Sequence, residues 1–216
     1  MRTLVCLPTK NEKESIQMMI DKIKQLNLDL IICDEQSNDG TVEIASKNSV
    51  SVYQRVGKGK GYGIIKALGV ARELNYDFLV LIDCDNSYPS EYIPELLSFL
   101  PEYDMVVGAR RMGGIQFSHR IVNILHTGLI NLLFMARLKD INSGLRVLRV
   151  DKLVELIDAK GFDIEAQITV KGLKNKLKIK EIPIDYKKRD GKSKIRAWDT
   201  FVILRTILKE RFLLKR

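Results

Sequence analysis

Phe78-Leu79-Val80-Leu81-Ile82-Asp83-Cys84-Asp85-Asn86-Ser87-Tyr88-Pro89 is the stretch around which the rest of the 216-residue chain falls into order. Five apolar residues in succession read as a strand buried on both faces, and two carboxylates one residue apart leave its end. Pro89 stops the strand, and Ser90-Glu91 opens the next helix. Acids at i and i+2 bring two negative charges together, which is costly unless a cation lies between them. Oxygen donors favour Mg²⁺ or Mn²⁺, and such a cation favours a phosphate-bearing substrate. One acid capping the next helix while the other is solvated accounts for the pair equally well, so the neighbours must decide.

Outward from this stretch, apolar runs and helical spacings alternate. Thr3–Leu7 is a strand, followed by the turn Pro8–Glu12 and a helix with Ile16, Met19, Ile20, Ile23 and Leu26 on one face. Leu30–Cys33 is a second strand ending in Asp34-Glu35, and Asn38–Thr41 makes a turn into another helix. Ser51–Gln54 is a third strand, and Gly57–Gly63 a glycine- and lysine-rich loop before the helix Ile64–Leu74. Asp104–Gly108 is a strand ending at Arg110-Arg111. This alternation predicts an α/β fold, a mostly parallel sheet with helices on both faces. Ligands then bind beyond the carboxyl ends of the strands, where Pro8–Glu12, Asp34-Glu35, Asp83–Ser87 and Arg110-Arg111 all fall. Four polar clusters on one edge point to a site. The Gly-Lys loop lacks the ending of a P-loop, and no dinucleotide fingerprint follows the first strand.

Composition is that of a globular protein, 45% hydrophobic and 29% charged, with no segment long and clean enough to cross a bilayer and no signal peptide. Cys6, Cys33 and Cys84 read as buried reduced thiols of a cytosolic protein. The net charge of +9 is uneven: residues 171–216 hold 16 Lys and Arg against 5 Asp and Glu, and residues 1–170 hold 20 against 22. A basic end on a near-neutral body points to an anionic surface or ligand. Ile121–Leu138 is apolar at most positions and fits a buried helix or an interfacial one. Lys178–Ile184 reads as an edge strand. The last helix carries Phe201, Leu204, Leu208 and Phe212 with Arg205, Lys209, Arg211, Lys215 and Arg216, a composition shared by membrane-surface helices and packed helices with a basic outer face.

In order, Pro8-x-x-Asn11-Glu12, Asp34 with Asn38-Asp39-Gly40-Thr41, the Gly-Lys loop, Asp83-x-Asp85, Gly108-Ala109-Arg110, Asp140-x-x-Ser143-Gly144-x-Arg146 and Arg189-x-Gly191-x-Ser193-Lys194 resemble family 2 glycosyltransferases of the GT-A fold. The likeness is greatest to dolichyl-phosphate mannose synthases and related polyprenyl-phosphate glycosyltransferases, and it runs from Thr3 to about Lys194. It implies a metal-dependent, inverting transfer of a hexose, mannose or glucose, from a GDP- or UDP-linked donor to a polyprenyl phosphate. The chain would be cytoplasmic, peripheral on the membrane, with residues 1–195 as the catalytic domain and 196–216 as a surface-bound helix. Some members carry transmembrane segments after this domain; this sequence shows none, so it is expected to reach the bilayer by its own surface or through a partner.

By the same resemblance, Pro8, Glu12 and Asp34 line the nucleotide with Lys58 or Lys60 nearby, and Asp83, Cys84 and Asp85 hold nucleotide and Mg²⁺ or Mn²⁺. Arg110 and Arg120 grip the acceptor phosphate, and Arg189 and Lys194 close over the donor diphosphate. Ser87 stands where those enzymes place a metal-ligating Gln, and Lys10 where many have an aromatic residue. A phosphate acceptor is already ionised and needs no general base, whereas a sugar hydroxyl needs a carboxylate. A soluble or glycan acceptor, or nucleotidyl transfer, remains an alternative. Nucleic acid is not an expected partner, since clustered acids without a metal repel its phosphates.

Overall fold

The computed structural model describes residues 1–187 and 197–212. In chain order its elements are β1 (Thr3–Thr9), α1 (Ile16–Lys24), β2 (Asp29–Asp34), α2 (Thr41–Lys47), β3 (Ser51–Gln54), α3 (Lys60–Glu73), β4 (Phe78–Leu81), α4 (Ile93–Ser98), β5 (Met105–Arg110), α5 (Phe117–Phe134), β6 (Arg146–Arg149), α6 (Val150–Leu153), α7 (Ile164–Lys174), β7 (Ile179–Ile184) and α8 (Ala197–Phe212). The strands form one seven-stranded sheet in the order β3-β2-β1-β4-β6-β5-β7. Every residue of β4 is buried, as its unbroken apolar run requires.

The expected parallel sheet is present with one exception. β6 runs antiparallel to both its neighbours, β4 and β5. Its first residue, Arg146, therefore lies opposite Leu81, the last residue of β4. The reversal delivers the loop Asp140–Leu145 to the same edge as Asp83 and Asp85. The chain also turns back at β1: β2 and β3 lie to one side of it and β4 to the other. The carboxyl ends of β1 and β4 thus flank the crevice where such sheets take ligands.

One apolar layer joins the sheet to α1 and α4 through Ile16, Met19, Ile20, Ile23, Ile93 and Leu96. Residues of the opposite sheet face, among them Cys6, Leu79 and Val107, pack on Ile64, Leu68, Leu153 and Ile168 of α3, α6 and α7. A third, smaller cluster joins α5, α7 and α8 through Ile130, Val170, Ile203 and Ile207. The three cysteines are buried and free. Among the described residues, no helix is long and apolar enough to cross a membrane.

Candidate active site

The loops after β1 and β2 are stitched together by short polar side chains. Asn11 N–H donates to Ser37 Oγ (2.8 Å), Asn38 N–H to Asn11 Oδ1 (3.0 Å), Glu12 N–H to Thr41 Oγ1 (2.9 Å) and Lys13 N–H to Asp39 Oδ2 (3.0 Å). Asp34, fully buried, accepts from Thr9 Oγ1 (3.0 Å) and Ser37 N–H (2.8 Å). Glu35 binds Lys10 and Arg55 and accepts the N–H of Gly59 at 2.7 Å. Gly59 has φ of +122°, a conformation other residues avoid. Glu35 therefore anchors the Gly-Lys loop at its most constrained point. Burial opposes the Glu35 charge, but Lys10, the Gly59 amide and Arg55 outweigh it and hold the carboxyl below its ordinary range.

Helix α3 begins at Lys60, four residues before the spacing predicts, which moves Lys60 from the loop to the first helical turn. Its ammonium lies 2.6 Å from Asp83 Oδ1 and also binds Glu165 on α7. Burial works against that charge, and the two carboxylates more than offset it, so the Lys60 pKa is raised. The charge argument from the sequence is thereby corrected in one respect: Asp83 already has a counter-ion in Lys60. Asp83 also rests against the backbone of Gly144, where a Cβ would collide with its carboxylate. Asp85 is buried, and Ser87 donates to its Oδ1 from the backbone N–H (3.1 Å) and from the hydroxyl. Ser87 is itself fully buried and orients Asp85. Among the described residues, no three His, Cys, Asp or Glu side chains are grouped to hold a metal ion.

Arg110, at the end of β5, meets Asp140 through Nε (2.7 Å) and Nη2 (2.9 Å), with its guanidinium over the Tyr186 ring. Arg110, one of the two arginines expected at the acceptor phosphate, is thus already committed to a carboxylate. The Asp140–Arg146 loop is fixed from beneath by Arg146, which is buried and donates to Ser143 O (2.7 Å), Thr169 Oγ1 (2.9 Å), Glu165 O (3.2 Å) and Ile141 O. Tyr88 accepts the Gly144 N–H at 2.7 Å.

Beside this edge, the first half of α5 turns polar residues inward, ahead of the apolar contact at Ile130. Its polar residues Asn123 and His126 are 1% and 0% exposed, while Phe117 and Leu132 are 73% and 78% exposed. Ile121, Ile124 and Leu125 lie on the same outer stripe. The inner polar side chains key into the Asp140–Arg146 loop: Asn142 Nδ2 reaches Asn123 Oδ1 at 2.9 Å and His126 Nδ1 at 3.3 Å. Burial lowers the His126 pKa. Helix α8 packs on α5 and α7 through Ile203 and Ile207. Of the Phe201, Leu204, Leu208 and Phe212 series singled out from the sequence, Leu204 is half-buried and the other three face outward. Those three and Trp198 are exposed.

Of the sequence-derived site residues, Pro8, Glu12, Asp34, Lys60, Asp83, Cys84, Asp85 and Ser87 all gather at the carboxyl edge of β1, β2 and β4. Cys84 is buried in the core behind the Asp83–Ser87 loop. Lys58 is exposed just before α3, and Arg120 is exposed on the first turn of α5. Arg189, Lys194, Lys215 and Arg216 lie outside the described residues. Glu165 and Tyr88 went unrecognised as part of this edge, because their contacts span long stretches of sequence.

A GT-A sheet with acidic loops, a lysine-bearing helix start and an Asp-x-Asp at its switch point defines a glycosyltransferase. The chain belongs to glycosyl transferase family 2, whose family model it matches over residues 4–212. It is 30% identical over 213 residues to an undecaprenyl-phosphate mannosyltransferase of Micrococcus luteus, covering 90% of this chain and 88% of that one. It is 29% identical over 198 residues to a dolichyl-phosphate hexose transferase of Haloferax volcanii, covering 88% and 85%. Among solved structures it is similar to glucosyl-3-phosphoglycerate synthase of Mycobacterium tuberculosis bound to Mn²⁺, UDP and phosphoglyceric acid. The TM-score is 0.81 at 23% identity, over 99% of this chain and 80% of that one.

Proposed function

We propose that this glycosyltransferase moves a hexose, mannose or glucose, from a GDP- or UDP-linked donor to a polyprenyl phosphate. It does so as a peripheral protein on the cytoplasmic face of a membrane. Residues 1–195 form the catalytic domain, and 196–216, the segment that contains α8, lies on the surface. The observation that carries the lipid acceptor is the exposed apolar stripe of α5 opposite its buried polar residues. A helix that buries Asn123 and His126 and exposes Phe117, Ile121, Ile124, Leu125 and Leu132 is matched to an outer medium less polar than water. That stripe starts from the same helix turn as Arg120, which with Arg110 is expected at the acceptor phosphate and which is exposed.

The donor set fits a divalent cation. Asp83 and Asp85 offer hard oxygens, Ser87 fixes one Asp85 oxygen, and the described residues supply no closed cage, which suits a cation that would complete its shell with donor phosphates and water. Bound Mg²⁺ or Mn²⁺ would stabilise charge building on the leaving diphosphate. Lys60, kept charged by its carboxylates, adds a second fixed positive charge at that place. Asp34 and Glu35 hold the loops that form the nucleotide floor. Asp83, Glu165 and Asp140 are each paired with a cation, so none stands ready as a base, in keeping with an acceptor that is already ionised.

The test is transfer of label from GDP-mannose or UDP-glucose, with Mn²⁺, to undecaprenyl phosphate in vesicles, with phosphoglyceric acid as a parallel soluble acceptor. Label is expected in the organic phase. Label that stays aqueous with the lipid and enters the soluble acceptor would overturn the lipid reading.

A further inference from the structure

Lys60 has two carboxylate partners, and they are attached to the protein in different ways. The backbone around Lys60 is fastened to the segment that leads into α7. Gly61 N–H donates to Gly161 O at 3.1 Å, and a Cβ at either Gly59 or Gly61 would strike the backbone carbonyl of Lys160 or Ala159. Glu165 is on the first turn of α7, four residues beyond Gly161. Its own carbonyl is held by Thr169 Oγ1 (2.9 Å) and by buried Arg146 (3.2 Å). Lys60 and Glu165 therefore belong to one fixed unit. Asp83 arrives separately, on the loop after β4, and touches that unit through its Oδ1 at 2.6 Å, while its carboxylate also rests against Gly144 of the loop before β6.

We propose that Glu165 is a positioning residue for the donor site. It holds the Lys60 ammonium whenever Asp83 is taken over by the donor's divalent cation. This inference rests on the preceding one, that Asp83 and Asp85 serve such a cation. A single carboxylate would suffice to neutralise Lys60. With Asp83 alone, however, every approach of a metal to Asp83 would strip a largely buried ammonium of its partner, and Lys60 would compete with the metal. Glu165 removes that competition, because the ammonium keeps one ion pair in both states. Lys60 then stays in place, charged, beside the diphosphate.

The experiment is titration with Mn²⁺ at saturating UDP and, separately, GDP, read from the electron paramagnetic resonance of the free ion. Thermal unfolding of each variant is followed alongside. Glu165→Gln keeps the size of the side chain and its place on the helix. It is expected to weaken Mn²⁺ binding by about 10- to 100-fold, the usual range for loss of a residue one step behind a metal ligand. The double variant Lys60→Met/Glu165→Gln is expected to regain most of that loss, since the competing ammonium is gone. Unchanged Mn²⁺ affinity in Glu165→Gln would overturn the proposal. So would a loss that the double variant does not restore, which would make Glu165 a ligand or a structural prop. Wild-type protein that binds nucleotide without taking up Mn²⁺ would instead overturn the metal reading itself, and this proposal with it.

Discussion

Glu35 joins three elements through one carboxylate, and its removal has a predictable pH signature. Arg55 is buried, and among the described residues its Nε and Nη1 have no hydrogen-bond partner, so Glu35, ahead of Asp34, is the anion that makes its charge tolerable. Glu35→Gln takes from that guanidinium its ion-pair partner, a loss of about 3 kcal/mol at neutral pH for a broken buried pair. The folded-state pKa of Glu35 lies below the unfolded value of about 4.3. Its contribution is therefore complete above that value and disappears as pH falls through the folded pKa. Urea unfolding is expected to show a constant gap between wild type and variant from about pH 7 to 5, closing below about pH 4. A gap that persists undiminished at the lowest pH would show that the charge is not what Glu35 contributes. At this scale the sequence was partly legible. Asp34, Glu35, Asp83 and Asp85 were placed correctly because acids at strand ends share an edge by rule. Glu165, Gly144 and Arg55 act through contacts that local spacing does not encode, and the reversal of β6 that brings Gly144 to Asp83 leaves no mark in the apolar pattern.

Helix α5 shows why an apolar run can be read for its existence and not for its orientation. The sequence admits a buried or an interfacial helix, because hydropathy alone does not say which face meets the protein. What orients it is the match between Asn123, His126 and Thr127 and the polar loop Asp140–Arg146, a pairing visible only once β6 is in place. The outer stripe can then be tested without disturbing the fold. Leu125 is half exposed, so Leu125→Ser should change stability by less than about 0.5 kcal/mol. If that side chain enters the acyl region, its loss should weaken vesicle binding by roughly 1.5 kcal/mol, or about tenfold. Sedimentation with vesicles, read beside the melting temperature, separates these effects. Equal binding by variant and wild type would take Leu125 out of the contact. Helix α8 repeats the lesson: Phe201, Leu208 and Phe212 of the series picked from its sequence are exposed and Leu204 is half-buried, while a second apolar face, Ile203 and Ile207, does the packing.

For the molecule as a whole, the uneven charge and the apolar stripes make separable demands on the bilayer. Residues 171–216 carry 16 Lys and Arg against 5 Asp and Glu, and Arg205, Lys209 and Arg211 of this set lie exposed on α8 beside Trp198, Phe201, Leu208 and Phe212. A basic residue near an anionic leaflet contributes on the order of 1 kcal/mol, and this contribution fades as the screening length shrinks from about 10 Å at 0.1 M salt to about 3 Å at 1 M. Insertion of apolar side chains is not screened. Binding to vesicles rich in phosphatidylglycerol is therefore expected to fall steeply between about 0.05 and 0.5 M NaCl and then level off at a residual affinity. Vesicles of phosphatidylcholine alone should show that residual affinity at every salt concentration. Arg205→Glu with Lys209→Glu should flatten the salt dependence, and Leu125→Ser should lower the plateau while leaving the slope unchanged. A full-length protein that remains in the supernatant with anionic vesicles at low salt would remove the membrane from the account. The two exposed stripes would then need a protein partner to cover them.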